Sequence, residues 1–233
     1  MSKLMNRIKK TDENKPWARK TLERDLSIKR QVQNTFFIFC EGANTEPEYF
    51  EAFPVNTETI VRAIGLGMCR SSLVKEIIRR VSEQGYLKGQ LNYDEDRQIW
   101  CVFDRDDRGL PGEDEDFDDA VRLATEHGLH VAYSNDAFEL WFCLHDHYID
   151  TQLHRKQFYE RLSKRIGFNY EDHGKEKDFA KSLYELFLPL QAKAIQHAER
   201  LHKVYEAEPK FSRHNPCTTV YQLVTALNKC LKR

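Results

Sequence analysis

Two stretches of the chain place carboxylates where they could do chemistry. Thr35 to Cys40 is an apolar, β-rich run that leads into Glu41-Gly42, and Gln98 to Phe103 is another that ends in Asp104-Arg105-Asp106-Asp107. Continuous apolar runs of this length are how buried parallel strands look. In open parallel sheets the functional crevice lies at the carboxyl ends of the strands, where loops and helix N-termini converge. Past its last paired residue a strand turns, so Asp104 and Asp106 are both expected to lean over the sheet edge toward Glu41. Three converging carboxylates cannot all stay ionised without a cation, since like charges ~4 Å apart repel by several kcal/mol at the effective dielectric of a protein surface. A hard divalent cation with oxygen ligands, Mg²⁺ or Mn²⁺, is the expected cofactor, held by Glu41, Asp104 and Asp106. Carboxylates after strands also serve as turn formers and caps, so an isolated Asp-x-Asp carries little weight. Its weight here comes from the joint placement with Glu41.

These residues need a scaffold, and the pattern predicts one. Thr45-Glu-Pro47 opens a helix, with Thr45 as N-cap and Glu48 completing a capping box ahead of Tyr49 and Phe50. Thr59 to Ile64 reads as a second strand. Ser71 or Ser72 caps a helix whose apolar positions Leu73, Ile77, Ile78 and Val81 keep helical spacing. A helix from about Asp116 to His127 follows the acidic run, and Leu129 to Tyr133 forms a fourth strand before Ser134-Asn135-Asp136. Strand alternating with helix in this way is the signature of an α/β fold with a parallel sheet flanked by helices. From Phe138 the pattern turns helical, over 138–144, 153–166, 179–187, 189–206 and 218–231. No internal repeat or low-complexity segment is visible.

The chain has 233 residues, 36 Lys+Arg against 37 Asp+Glu and a formal net charge of −1, with 40% hydrophobic and 31% charged residues, the profile of a soluble globular protein. No apolar run approaches the roughly 18–20 residues of a spanning helix, so no membrane partner is expected. The start, MSKLMNRIKK, has charge but no apolar core or cleavage site of a secretory signal, which points to the cytoplasm. The six cysteines form no CxxC pair and sit mostly in apolar segments, so neither a zinc site nor a disulfide framework is expected. The near-zero charge conceals segregation. Residues 1–30 hold ten Lys/Arg and four Asp/Glu, residues 94–119 three and twelve, and residues 151–233 sixteen and nine. Residues 1–34 read as a flexible basic arm, with one helical stretch around Leu22 to Gln33, and 35–233 as the folded domain with a helical C-terminal region. Basic ends around an acidic middle suggest a polyanionic partner and a cation in the middle, although solvated faces produce similar runs.

Four motifs carry a resemblance. FIFCEGANTEPEYF (37–50), WCVFDRDD (100–107), SNDAFELWFCLH (134–145) and NPCTTVYQLV (215–224) are similar, in that order, to the successive motifs of the RloB-like family, over roughly residues 35–225. The resemblance implies a Toprim-like core, Mg²⁺-dependent phosphodiester chemistry on DNA or RNA, and a place in antiviral, abortive-infection defence beside an AAA or ABC-type ATPase. It assigns Glu41 to the Toprim glutamate, Asp104 and Asp106 to the DxD aspartates, and further carboxylates to Glu46 and Glu139. Two positions depart from the pattern: Asp136 stands where proline is expected and Cys217 where serine is expected.

Other candidates are weaker. Arg105, between the aspartates, is placed to hold a scissile phosphate or to pair with a neighbouring acid. Lys175 and Lys177, with Lys181, open a basic helix able to touch a phosphate backbone, as a solvated face would also look. His145, His147 and Tyr148 could supply a metal ligand or acid, but their position at a helix end favours an ordinary terminus. Trp141 sits in a segment apolar enough to be core. The expected reaction is metal-dependent endonucleolytic hydrolysis, with Glu41 also able to act as general base, and with nucleic acid, tRNA included, as partner. Two rivals stand: a phosphatase with Asp104 as nucleophile, and a non-catalytic sensor or adaptor of a defence ATPase. Whether the chain pairs with a second copy is left open.

Overall fold

The computed structural model describes residues 33–106, 109–174, 176 and 178–232. The basic arm up to residue 32, Asp107, Lys175 and Lys177 lie outside them, and so do the expectations placed there.

From Asn34 the chain alternates as expected: β1 (Asn34–Cys40), α1 (Thr45–Glu51), β2 (Thr59–Gly65), α2 (Arg70–Glu83), β3 (Arg97–Asp104), α3 (Glu113–Glu126) and β4 (His130–Asn135). Then come α4 (Glu139–Asp146), α5 (Arg155–Ile166), the short α6 (Tyr170–His173), α7 (Phe179–Phe187), α8 (Gln191–Val204), the short strand β5 (Cys217–Thr218) and α9 (Val220–Asn228). The sheet order is β2-β1-β3-β4-β5. The first four strands are parallel, with Cys40 beside Val102 and Asp104 beside Ser134.

Alternation along the strands explains the layers. Phe36, Ile38, Trp100 and Val102 face a large core shared with α1, α4 and the C-terminal helices, whereas Phe39, Ile99, Cys101 and Phe103 face α2 and α3. The central strands β1 and β3 are buried on both faces and read as unbroken apolar runs, whereas the edge strand β2 is partly exposed and carries Arg62. Leu183, Phe187, Ala198 and Leu223 belong to the same core as β1 and Phe50, so the C-terminal helices are part of one globule. Asp104 continues the series of Trp100 and Val102 and therefore emerges on the face covered by α1 and α4.

Three local readings are corrected. The sheet is mixed, because Cys217–Thr218 pairs antiparallel with β4 where the pattern suggested a helix beginning at Thr218. The pairing continues into Thr219, whose hydroxyl accepts from Tyr133 N–H at 2.9 Å and whose N–H donates to the Tyr133 carbonyl at 2.8 Å. Thr45 is not an N-cap: Asn44 holds that position, and the Thr45 hydroxyl donates instead to the Gly174 carbonyl at 3.0 Å, tying α1 to the loop after α6. The second helix begins at Arg70 behind Cys69, one to two residues before the expected serine caps.

Candidate functional site

The site is built where β1 and β3 end side by side. The Glu41 N–H donates to the Val102 carbonyl at 2.8 Å, holding the first residue after β1 against β3. The Glu41 carboxylate reaches across to accept from the Asp104 N–H at 3.4 Å. The Asp104 carboxylate accepts from the Phe138 N–H at 3.0 Å, just ahead of α4. Glu46, in the first turn of α1, folds back over Gly42 and accepts from the backbone N–H groups of Glu46 and Gly42. A Cβ on Gly42 would lie 2.1–2.6 Å from the Glu46 carboxyl, so only glycine leaves room for that approach. Gly65 fills the same need one strand over, since a Cβ there would lie 2.4 Å from the Gly42 carbonyl. Glu139, first residue of α4, accepts from the Tyr170 hydroxyl at 3.0 Å.

Glu41, Glu46, Asp104, Asp106, Glu139, Arg155 and Tyr159 line one cleft of about 300 Å³. Its electrostatics follow from crowding acids in a desolvated place. Burial, opposed by those N–H donors and reinforced by Glu139 and Glu41, pushes the Glu46 carboxyl up to about 7. Burial, then Glu46, Glu139 and Glu41, raise Asp104 well above the usual carboxylate range. Glu46 and Glu139 thus stand electrostatically beside Asp104 and Glu41.

Asp106 lies in the cleft but is differently engaged. It adopts a left-handed backbone (φ 54°), its N–H donates to the Asp136 carbonyl at 3.0 Å, and its carboxylate is ion-paired with Arg155. Among the described residues, no three His, Cys, Asp or Glu side chains are arranged as a ready ligand set for a metal ion. Arg105 turns away from the cleft and pairs with Asp114 in the first turn of α3 at 2.7 Å, the second of the two pairings expected of it. Asp136, the acid in place of proline, is buried and accepts from the Arg155 N–H at 3.2 Å, serving the start of α5. Cys217 is buried beside the Tyr133 hydroxyl.

His145 belongs to the core. It is fully buried, bonds through Nδ1 to the Trp141 and Phe142 carbonyls, and is pushed down to about 4 by desolvation, so it stays neutral. Trp141 is core as expected, with its indole N–H donating to the Tyr49 hydroxyl at 2.8 Å. Lys181 is exposed on α7. Sequence reasoning missed Arg155 and Tyr159. Each stands near the start of a predicted helix, and nothing in local spacing says that this helix begins at the cleft.

A family model described as RloB-like protein matches residues 36–227, from β1 into α9, and so spans every residue of the cleft. The chain belongs to the RloB-like family. No curated protein and no solved structure matches it. Among the described residues of this RloB-like chain, no helix is long and apolar enough to cross a membrane.

Proposed function

We propose that this RloB-like chain is a metal-dependent endonuclease that hydrolyses phosphodiester bonds of DNA or RNA, tRNA included. The observation that carries the reading is the meeting of Glu41, Glu46, Asp104 and Glu139 in one cleft at the carboxyl ends of adjacent parallel strands. The donor set fits a hard divalent cation. These groups offer only oxygen donors, and the raised Glu46 and Asp104 carboxyls mark negative charge that a cation would relieve. Glu41, Asp104 and Asp106 would hold Mg²⁺ or Mn²⁺. Such an ion supplies Lewis-acid polarisation of a phosphoryl oxygen and charge stabilisation at the leaving oxygen.

The chain's own groups do the rest. The Phe138 N–H fixes the Asp104 carboxylate, and the Asp104 N–H fixes that of Glu41, so both acids are oriented by backbone. Glu46, folded back beside Gly42 and facing the cleft, is placed to take the proton of an attacking water, and Glu41 shares the same cleft as a second base. The Tyr170 hydroxyl holds Glu139. The phosphatase reading is less well supported, because it gives Asp104 a role and leaves Glu41, Glu46 and Glu139, which line the same cleft, without one.

The family, rather than the geometry, suggests a defence effector acting with an ATPase. The test is Mg²⁺-dependent cleavage of plasmid, oligonucleotide and tRNA by the purified chain, alone and with an ATPase encoded beside it. Cleavage abolished by chelation supports the reading. An unchanging substrate set in every combination, with the ATPase bound to the chain, would instead support the adaptor.

A further inference from the structure

Five carboxylates, Glu41, Glu46, Asp104, Asp106 and Glu139, line the cleft, and among its described lining residues the one cation is Arg155. A phosphodiester entering so acidic a cleft needs a positive group to hold its non-bridging oxygens, and a guanidinium fork matches them. That fork is already engaged. Arg155 Nη2 pairs with Asp106 Oδ1, while Arg155 Nε is buried with no hydrogen-bond partner. Asp106 is correspondingly held in its left-handed turn, with Arg155 at its carboxylate.

We infer that Arg155 contacts the substrate by exchanging partners. In the resting protein it holds Asp106, and when a phosphodiester occupies the cleft the guanidinium moves to a phosphate oxygen, leaving the Asp106 carboxylate to join Glu41 and Asp104 around the metal. The inference rests on the metal-dependent phosphodiester reading of this cleft. It accounts for why, among the described residues, Glu41, Asp104 and Asp106 are not grouped as a metal-ligand set although all three line one cavity. It also couples the two ligands: substrate raises metal affinity, and metal raises substrate affinity by the same factor.

The experiment measures Mn²⁺ affinity of the metal-free protein, in the absence of nucleic acid, for wild type, Arg155→Gln, Asp106→Asn and the double variant. Removing a positive charge from an acidic cleft raises cation affinity by itself, so the comparison between backgrounds decides. If Arg155 withholds Asp106, Arg155→Gln raises Mn²⁺ affinity about tenfold with Asp106 present and less than about twofold in the Asp106→Asn background, a coupling of the size double-variant cycles detect. Equal gains in both backgrounds, or none, would overturn the inference. In parallel, affinity for an oligothymidylate with Ca²⁺ present should fall in Arg155→Gln and recover in part in Arg155→Lys, which restores the charge but not the fork. Unchanged oligothymidylate binding would also overturn it. Arg155 stands at the first position of α5 with its side chain about one-third exposed, so these variants are expected to fold, and thermal melts check that. Wild-type protein that bound neither Mn²⁺ nor oligothymidylate would remove the functional reading itself, and the exchange with it.

Discussion

Asp104 is held well above the usual carboxylate range. Burial and the charges of Glu46, Glu139 and Glu41 all disfavour its ionised form, while one N–H from Phe138 favours it. Asp104→Asn keeps an oxygen for that N–H and removes the repulsion. The metal-free variant should therefore melt at or above the wild-type temperature while losing cleavage by roughly 10²-fold or more. A thermal melt beside a cleavage assay checks both halves. Gly42 is the second test at this scale. In Gly42→Ala the new methyl meets the Glu46 carboxyl, so Glu46 must swing away from the backbone N–H groups that hold it. Cleavage should fall by about tenfold or more, given how steeply rates depend on the placement of a catalytic group, and stability should change far less. Equal activity in Gly42→Ala would show that the Glu46 position does not matter.

At the scale of elements, β1 and β3 were legible because burial on both faces leaves Phe36 to Cys40 and Ile99 to Phe103 unbroken by polar residues. Glu41 and Asp104 could be placed together for the same reason, since strand ends that neighbour one another carry their loops with them. Cys217–Thr218 was not legible, because two residues cannot show alternation and their pairing with β4 is decided by tertiary contacts. Thr45 was misread through its type. A threonine before a proline and a glutamate looks like a cap, but the loop after α6 competes for the same hydroxyl. Arg105, between two aspartates, was read as a phosphate ligand or the partner of a neighbouring acid, and only the fold shows that Asp114 at the start of α3 pairs with it. Arg155 needed the fold, since its partner Asp106 lies 49 residues earlier in the chain. The charge of the first 30 residues, ten cationic against four acidic, supports a prediction independent of any of these contacts. Removing residues 1–30 should weaken nucleic-acid binding and flatten the dependence of log affinity on log salt, because fewer counterions are released. An unchanged slope would show that the arm does not touch the phosphate backbone.

Across the whole molecule, the acidic cleft makes stability depend on pH. The Glu46 carboxyl titrates near 4.5 in the unfolded chain and at about 7 in the fold, so between those values the native state binds the extra proton. Its contribution is fully present below pH 4.5 and is lost as pH rises through about 7. His145 acts in the opposite sense. Pushed down from 6.5 to about 4, it contributes stability above pH 6.5 that is lost as pH falls through about 4. The two trends overlap, so the clean measurement is a difference. The stability of Glu46→Gln relative to wild type, both metal-free, should rise between pH 4.5 and about 7, and a flat difference would show that Glu46 is not held in its protonated form. In wild type, saturating Mg²⁺ should offset the alkaline loss, because a cation bound only by the folded state stabilises it in proportion to the logarithm of its concentration.

That the cleft beyond β1 and β3 cuts nucleic acid with a metal held by its carboxylates is put at risk most plainly by Glu41→Gln. The substitution keeps the shape of the side chain and the acceptor for the Asp104 N–H but removes charge and proton affinity. In a Mg²⁺-dependent cleavage assay the variant should be slower by roughly 10²-fold or more, with an unchanged or slightly higher melting temperature. Glu41→Gln protein that is folded, loaded with metal and cuts at the wild-type rate would contradict the nuclease assignment.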